Sequence, residues 1–84
     1  MEAKKFKVII VEDVKLELKG TEEIFRHEIP DAEVIGTAMT EQEFWSLMEV
    51  GVPDLVLLDL GLGGSTTIGV DICRNIFKRY PDVH

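Results

Sequence analysis

The sequence predicts an α/β domain in which helices cover both faces of a parallel β-sheet. Two observations predict this class. Strand-like and helix-like segments alternate along the chain, and the strand-like segments are nearly continuous apolar runs. Strands that alternate with helices pair in parallel through right-handed crossovers. The chain has 84 residues, without a repeat or linker, so we expect one small domain.

Composition excludes several classes of protein. There are 16 acidic and 9 basic residues, a net charge of -7, so this segment is not expected to contact nucleic acid. The longest apolar runs, Val8–Val11 and Leu55–Leu58, are far shorter than the roughly 20 residues of a membrane span, and no signal peptide is visible. The single cysteine, Cys73, suits a reducing compartment. We therefore expect a soluble, cytoplasmic protein without a membrane partner.

The first strand is predicted at Phe6–Val11, because this β-branched, apolar run lacks polar alternation. It ends at two acids, Glu12 and Asp13. Asp13 is followed closely by a segment with helical spacing.

The first helix is predicted over residues 15–28, before Pro30. Leu16, Gly20 and Ile24 lie four residues apart, with Phe25 next to Ile24. This spacing predicts that they form the buried stripe of the helix.

The second strand is predicted at Glu33–Ala38, and the second helix after Thr40. Thr40 and Glu43 form a capping-box pattern, in which each side chain accepts a hydrogen bond from the other residue's amide. Gly51 occupies the C-terminal cap position. The predicted apolar stripe of this helix comprises Phe44, Leu47, Met48 and Val50.

The third strand is predicted at Asp54–Leu60, after Pro53, and a glycine-rich loop at Gly61–Gly69 follows it. The last helix is predicted from about Val70 to Tyr80. Its predicted apolar stripe comprises Ile72, Cys73, Ile76, Phe77 and Tyr80, which makes Cys73 a small core residue.

Three carboxylates follow the strands at positions where α/β proteins place their functional crevice. Glu12 and Asp13 follow the first strand, and Asp59 lies at the end of the third. If these strands are neighbours, their backbones lie about 4.8 Å apart. The three charges would repel one another and raise at least one pKa, and a bound Mg²⁺ would relieve that repulsion. Mg²⁺ commonly completes its ligand shell with phosphate oxygens, so this site favours phosphoryl chemistry.

Asp59 is the predicted nucleophile, because a carboxylate can accept a phosphoryl group as an aspartyl phosphate. Each acid also has a simpler explanation. Asp59 alone could begin a turn or cap a helix, and Glu12 with Asp13 could be a solvated pair at a helix N-terminus. The combination of the three at one sheet edge favours the metal site.

Two segments, Val8–Asp13 (VIIVED) and Pro53–Leu60 (PDLVLLDL), together with the helix start Gly69–Cys73 (GVDIC), resemble the receiver domain of two-component response regulators. The resemblance covers the whole chain. It implies a flavodoxin-like doubly wound parallel sheet of strand order 2-1-3-4-5, present here as a (βα)3 fragment of order 2-1-3.

The same resemblance implies the roles of the site residues. Asp59 would accept a phosphoryl group from a sensor histidine kinase or phosphotransfer protein. Mg²⁺ would be held by Glu12, Asp13 and Asp59, with the carbonyl of Gly61 completing its shell. Such a domain is a regulatory phosphoacceptor and not an enzyme.

The chain departs from this family at its end. His84 stands where a fourth strand should begin, so we expect residues 1–84 to be one incomplete receiver domain. The Ser or Thr after the fourth strand and the Lys after the fifth have no counterpart, and Lys15 and Lys78, which fall on helices, do not replace that Lys. The outer edge of the third strand is expected to lack a partner. This indicates a fragment of a longer protein, a proteolysed specimen or a homodimer through that edge, and of these a fragment is favoured. Any DNA binding would belong to a missing effector domain.

One other interpretation stays open. The scaffold could serve as a phosphorylation-silent interaction or dimerisation module. The run Gly61–Thr66 (GLGGST) also invites comparison with a dinucleotide-binding loop, but Thr66 replaces the third glycine and the loop is too long.

Overall fold

Three strands alternate with three helices in the computed structural model, which describes residues 5–59 and 66–84. The elements are β1 (Phe6–Val11), α1 (Lys15–Glu28), β2 (Ala32–Ala38), α2 (Glu41–Val50), β3 (Leu55–Leu58) and α3 (Thr66–Arg79). All strand pairs are parallel and the order is β2-β1-β3. The α/β class and the 2-1-3 order predicted from the sequence are therefore confirmed.

The central strand β1 is the most buried element of the sheet. Its residues Val8–Val11 are at most 1% exposed, because β2 and β3 flank them and helices cover both faces. The side chains of β1 alternate between two apolar cores. Ile9 and Val11 pack with residues of α2 and α3, whereas Val8 and Ile10 pack with residues of α1.

Helix α1 has the predicted bounds but a different buried face. Leu18 and Phe25 are buried, whereas Leu16 is 82% exposed and Ile24 51% exposed. The predicted burial of Leu16, Gly20 and Ile24 is therefore wrong, whereas that of Phe25 is confirmed. The helix buries Leu18 and the large ring of Phe25, seven residues apart, and this rotates the Leu16 row toward solvent.

Helix α2 carries the predicted cap with one change of partner. The Glu43 amide donates to Thr40 Oγ1 at 3.1 Å, as predicted, but the Glu43 carboxylate accepts from the Met39 amide, at 2.7 Å, and not from that of Thr40. The Gly51 amide donates to the Leu47 carbonyl and closes the helix. Val50 is 89% exposed, so its place in the predicted stripe is wrong.

Helix α3 begins at Thr66, before the predicted Val70, and the first part of the predicted glycine-rich loop lies outside the described residues. Ile72 and Ile76 are buried as predicted. Cys73 is exposed and Phe77 is 79% exposed, so their prediction as core residues is wrong. Each follows a buried isoleucine by one position, which turns it about 100° away around the helix.

Strand β3 is shorter than predicted, and its outer edge is not fully open. The His84 amide donates to the Asp54 carbonyl at 2.9 Å, and the Val56 amide donates to the His84 carbonyl at 2.8 Å. This pair of bonds is a parallel bridge, so the start of the edge has a backbone partner.

Across the part of the chain that the structure describes, none of the helices has both the length and the apolar character needed to cross a membrane.

Candidate metal centre

The sheet register brings the ends of β1 and β3 together. Val11 pairs with Leu58 across the two strands, so the residues that follow them leave the sheet at one edge. The Asp59 amide donates to the Val11 carbonyl at 3.0 Å, and the Glu12 amide donates to the Ala38 carbonyl at 3.0 Å. These bonds fix the backbones of Glu12 and Asp59 against their neighbouring strands.

The structure brings together the three carboxylates that the sequence predicts. Glu12, Asp13 and Asp59 each place a carboxylate oxygen so that all three oxygens lie within 4.8 Å of one another. All three residues are half-buried. Half-burial keeps the carboxylates open to an incoming ligand while reducing the water that screens their charges.

Glu12 shows the electrostatic strain of this arrangement. Burial raises the pKa of its carboxyl above the ordinary value, and the neighbouring carboxylate of Asp59 raises it further. The Val14 amide donates to Glu12 Oε1 at 3.1 Å, and this hydrogen bond opposes the rise in the pKa of Glu12. A negatively charged Glu12 is therefore disfavoured beside Asp59 unless a cation is present.

The donor set fits Mg²⁺. Three carboxylate oxygens at one sheet edge supply the hard anionic ligands that Mg²⁺ prefers. The predicted fourth ligand, the carbonyl of Gly61, lies outside the described residues and stays a prediction.

Sequence reasoning missed one residue beside this cluster. A cavity of about 190 Å³ lies on the α1 side of the acids and is lined by Thr21 and Leu57 together with Glu12 and Asp59. Thr21 comes from α1, three residues after the buried Leu18. A stripe drawn through Leu18 and Phe25 would have found it, because Thr21 lies on the same helix face.

Comparison with known proteins adds independent findings. The family model described as the response regulator receiver domain matches residues 8–84. The transcriptional regulatory protein DegU of Brevibacillus brevis is 30% identical over 79 residues, which cover 94% of this chain and 32% of DegU.

Two solved structures resemble the fold. The solution structure of the REC domain of the Erythrobacter litoralis PhyR response regulator matches with a TM-score of 0.77 at 28% identity, over 93% of this chain and 58% of that one. A structure of the PhyR stress response regulator matches with a TM-score of 0.75 at 28% identity, over 93% of this chain and 29% of that one. This chain thus spans about a third of DegU and just over half of the isolated REC domain.

Proposed function

The chain belongs to the response regulator receiver domain family, and from this premise we propose that it takes a phosphoryl group from a histidine kinase onto Asp59, with Mg²⁺ at the acidic edge. Receiver domains are regulatory signalling domains. The proposed phosphorylation therefore changes the signalling state of the domain and is not the turnover of a substrate. The proposed donor is a sensor histidine kinase or a phosphotransfer protein, and we propose that the exchange takes place in the cytoplasm.

One observation carries the proposal: the oxygens of Glu12, Asp13 and Asp59 converge within 4.8 Å at the carboxyl ends of two adjacent parallel strands. A lone acid after a strand would be unremarkable. Here three acids follow two adjacent strands, and one of them, Glu12, has a raised pKa. Such a cluster favours the binding of a cation, and the bound cation in turn favours the binding of an anionic phosphoryl group.

The residues divide the chemistry between them. A bound Mg²⁺ would neutralise charge on the transferred phosphoryl group. A carboxylate oxygen of Asp59 attacks phosphorus and forms an O–P bond, while the P–N bond of the donor phosphohistidine breaks and its electron pair stays on the imidazole. Glu12, Asp13 and Asp59 would hold the cation. The Asp59 amide donates to the Val11 carbonyl, and this hydrogen bond keeps the backbone of Asp59 in place.

The test is phosphoryl incorporation followed by intact-protein mass spectrometry. With Mg²⁺ and a small acyl phosphate or a phosphorylated kinase, we expect the wild-type chain to gain one phosphoryl group and Asp59→Asn to gain none. Asp54→Asn is the matched control, because Asp54 is an exposed acid at the opposite end of β3, where its carboxylate accepts from the Lys7 amide at 2.7 Å. We expect this control to be labelled like the wild type.

Two results would count against the proposal. Equal labelling of Asp59→Asn would show that Asp59 is not the acceptor. A folded wild-type chain that stays unlabelled with either donor would favour the phosphorylation-silent interaction module on the same scaffold.

A further inference from the structure

A groove lies between helix α2 and the outer edge of strand β2. It has a volume of about 520 Å³ and is lined by Thr37, Gln42, Glu43, Ser46, Leu47 and Val50. We call these six residues the α2 groove. Gln42, Ser46 and Val50 lie four residues apart, so the groove follows one flank of α2 for about 12 Å.

The α2 groove lies at the edge of the sheet away from the end of the sequence. In the order β2-β1-β3, strands β2 and β3 form opposite edges. His84 bonds to the outer edge of β3, and the order 2-1-3-4-5 implied for receiver domains adds further strands on that side. The remaining strands of such a domain would therefore not cover the α2 groove.

The surface of the groove is partly apolar. Leu47 is half-buried and Val50 is 89% exposed. Leu47 lies directly on Gly36, where a Cβ atom would come within 2.8 Å of Leu47 Cδ2. The absence of a side chain at Gly36 thus lets α2 approach β2 closely, with Leu47 between helix and strand. An amphipathic partner could cover this apolar surface.

The charged residues of β2 and α2 are all acidic. They are Glu33, Glu41, Glu43 and Glu49. On the helix wheel, Glu49 and Glu43 lie on either side of the row that begins at Gln42 and ends at Val50, each about 20° from the nearest end of that row. The α2 groove therefore combines an apolar surface with acids on both sides.

Cations of the neighbouring elements lie elsewhere. The guanidinium of Arg79 is 5.2 Å from the centre of the Trp45 ring, and Trp45 lies about 160° around α2 from Glu43. Lys5 and Arg26 line a separate hollow, on the face of β2 that packs toward α1. These cations therefore leave the acids of the α2 groove available to a partner.

This charge pattern favours a cationic partner over a second copy of the chain. Two copies that met through their α2 grooves would bring Glu43 and Glu49 of each copy against the same acids of the other. Like charges that face one another across an interface oppose association, whereas Lys or Arg side chains of a partner would attract these acids.

An irregularity in β2 favours a helix over an added strand as the occupant. Val34 pairs with Val8 and Gly36 pairs with Ile9, so Ile35 is an extra residue without a counterpart in β1. A bulge of this kind disrupts the regular edge that an incoming strand needs. A groove about 12 Å long beside α2 instead accommodates about two turns of a helix.

We propose that the α2 groove binds an amphipathic, cationic helix of a protein partner. The apolar row of that helix covers Leu47 and Val50, and its Lys or Arg side chains lie near Glu43 and Glu49. The α2 groove shares no residue with the acidic cluster at the ends of β1 and β3. A failure of the proposed phosphoryl transfer would therefore leave this inference standing.

The first test uses a synthetic helical peptide of about 14 residues, with leucines along one face and lysines elsewhere. Fluorescence anisotropy measures its binding at fixed ionic strength. Glu49→Lys should weaken binding about tenfold, because an attraction becomes a repulsion. Asp71→Lys is the matched control, since Asp71 is an exposed acid on α3, and this variant should bind like the wild type.

A second pair of variants tests the apolar contact. Val50→Ser should weaken binding of the same peptide several-fold, because the peptide leucines lose apolar surface to cover. Leu16→Ser is the control, because Leu16 is likewise a highly exposed apolar residue, on α1. This control should bind like the wild type.

An amide correlation spectrum locates the bound peptide. We expect the shifts to be confined to residues 35–37 and 42–50. Shifts centred on Glu12 and Asp59 would overturn the proposal, as would the absence of binding. Equal weakening by Glu49→Lys and Asp71→Lys would show that the peptide follows net charge alone, and this too would overturn it.

Discussion

Glu12 is a proposed metal ligand whose pKa the surrounding structure shifts. Its pKa is raised by burial and by Asp59, against the effect of the Val14 amide. Between its ordinary pKa and the raised value, the folded protein holds a proton on Glu12 that the unfolded chain releases. Without a cation, the free energy of unfolding therefore falls as pH rises through this window. Mg²⁺ binding at the proposed site would need the carboxylate form of Glu12, so we expect it to strengthen as pH rises through the same window.

Replacement of Glu12 by Gln tests whether the charge of Glu12 lowers the free energy of unfolding. Without Mg²⁺ at neutral pH, we expect Glu12→Gln to raise the free energy of unfolding by about 0.5 kcal/mol, because it removes a like charge beside Asp59. Urea unfolding across a pH series is the measurement, with Glu49→Gln, an exposed acid on α2, as the control. A Glu12→Gln variant less stable than the wild type at neutral pH would show that the charge of Glu12 is stabilising.

The acids of the site could be predicted because their positions follow from chain order alone. Charged residues directly follow each buried apolar strand, and parallel strands bring their carboxyl ends to one edge of the sheet. Thr21 could not be found in this way. Its place beside the acids depends on the rotation of α1 about its own axis, and the sequence offers two apolar rows on that helix.

At the scale of the element, α1 shows how that rotation is decided. The row through Leu16 and Ile24 has regular spacing, but the row through Leu18 and Phe25 faces Val8 and Ile10 of the sheet. The choice follows from the shape of the surface that receives the helix, which local spacing does not contain. Local spacing also fails to identify the buried face of α3, because Cys73 and Phe77 fit the helical period and are nevertheless exposed.

Two alanine substitutions on α1 test which of its two apolar rows faces the core. Leu18→Ala should lower the free energy of unfolding by roughly 2–4 kcal/mol, because it leaves a cavity against the sheet. Leu16→Ala, the same change two residues earlier, should stay within about 0.5 kcal/mol of the wild type, because Leu16 is exposed. Chemical denaturation of both variants in one buffer is the measurement. Equal losses would mean that α1 is rotated from the orientation described above.

At the scale of the whole molecule, the order of the strands is what creates the site. Alternation of strands and helices predicts a parallel sheet but does not say which strands are neighbours. The resemblance to receiver domains implies the order 2-1-3, and the structure places β1 between β2 and β3. If β1 instead lay at the edge of the sheet, β1 and β3 need not be neighbours, and the acids that follow them need not lie close together. The site therefore depends on the topology and the strand ends together.

The most direct test of the acidic edge is an amide correlation spectrum of the chain, recorded during titration with Mg²⁺. We predict a dispersed spectrum in which the shifts are confined to residues near Glu12, Asp13 and Asp59, including those just after Asp59. Asp13→Asn should need more Mg²⁺ for the same shifts. A dispersed spectrum that does not respond to Mg²⁺, or one that responds equally in Asp13→Asn, would contradict the metal site and with it the proposed phosphoacceptor function.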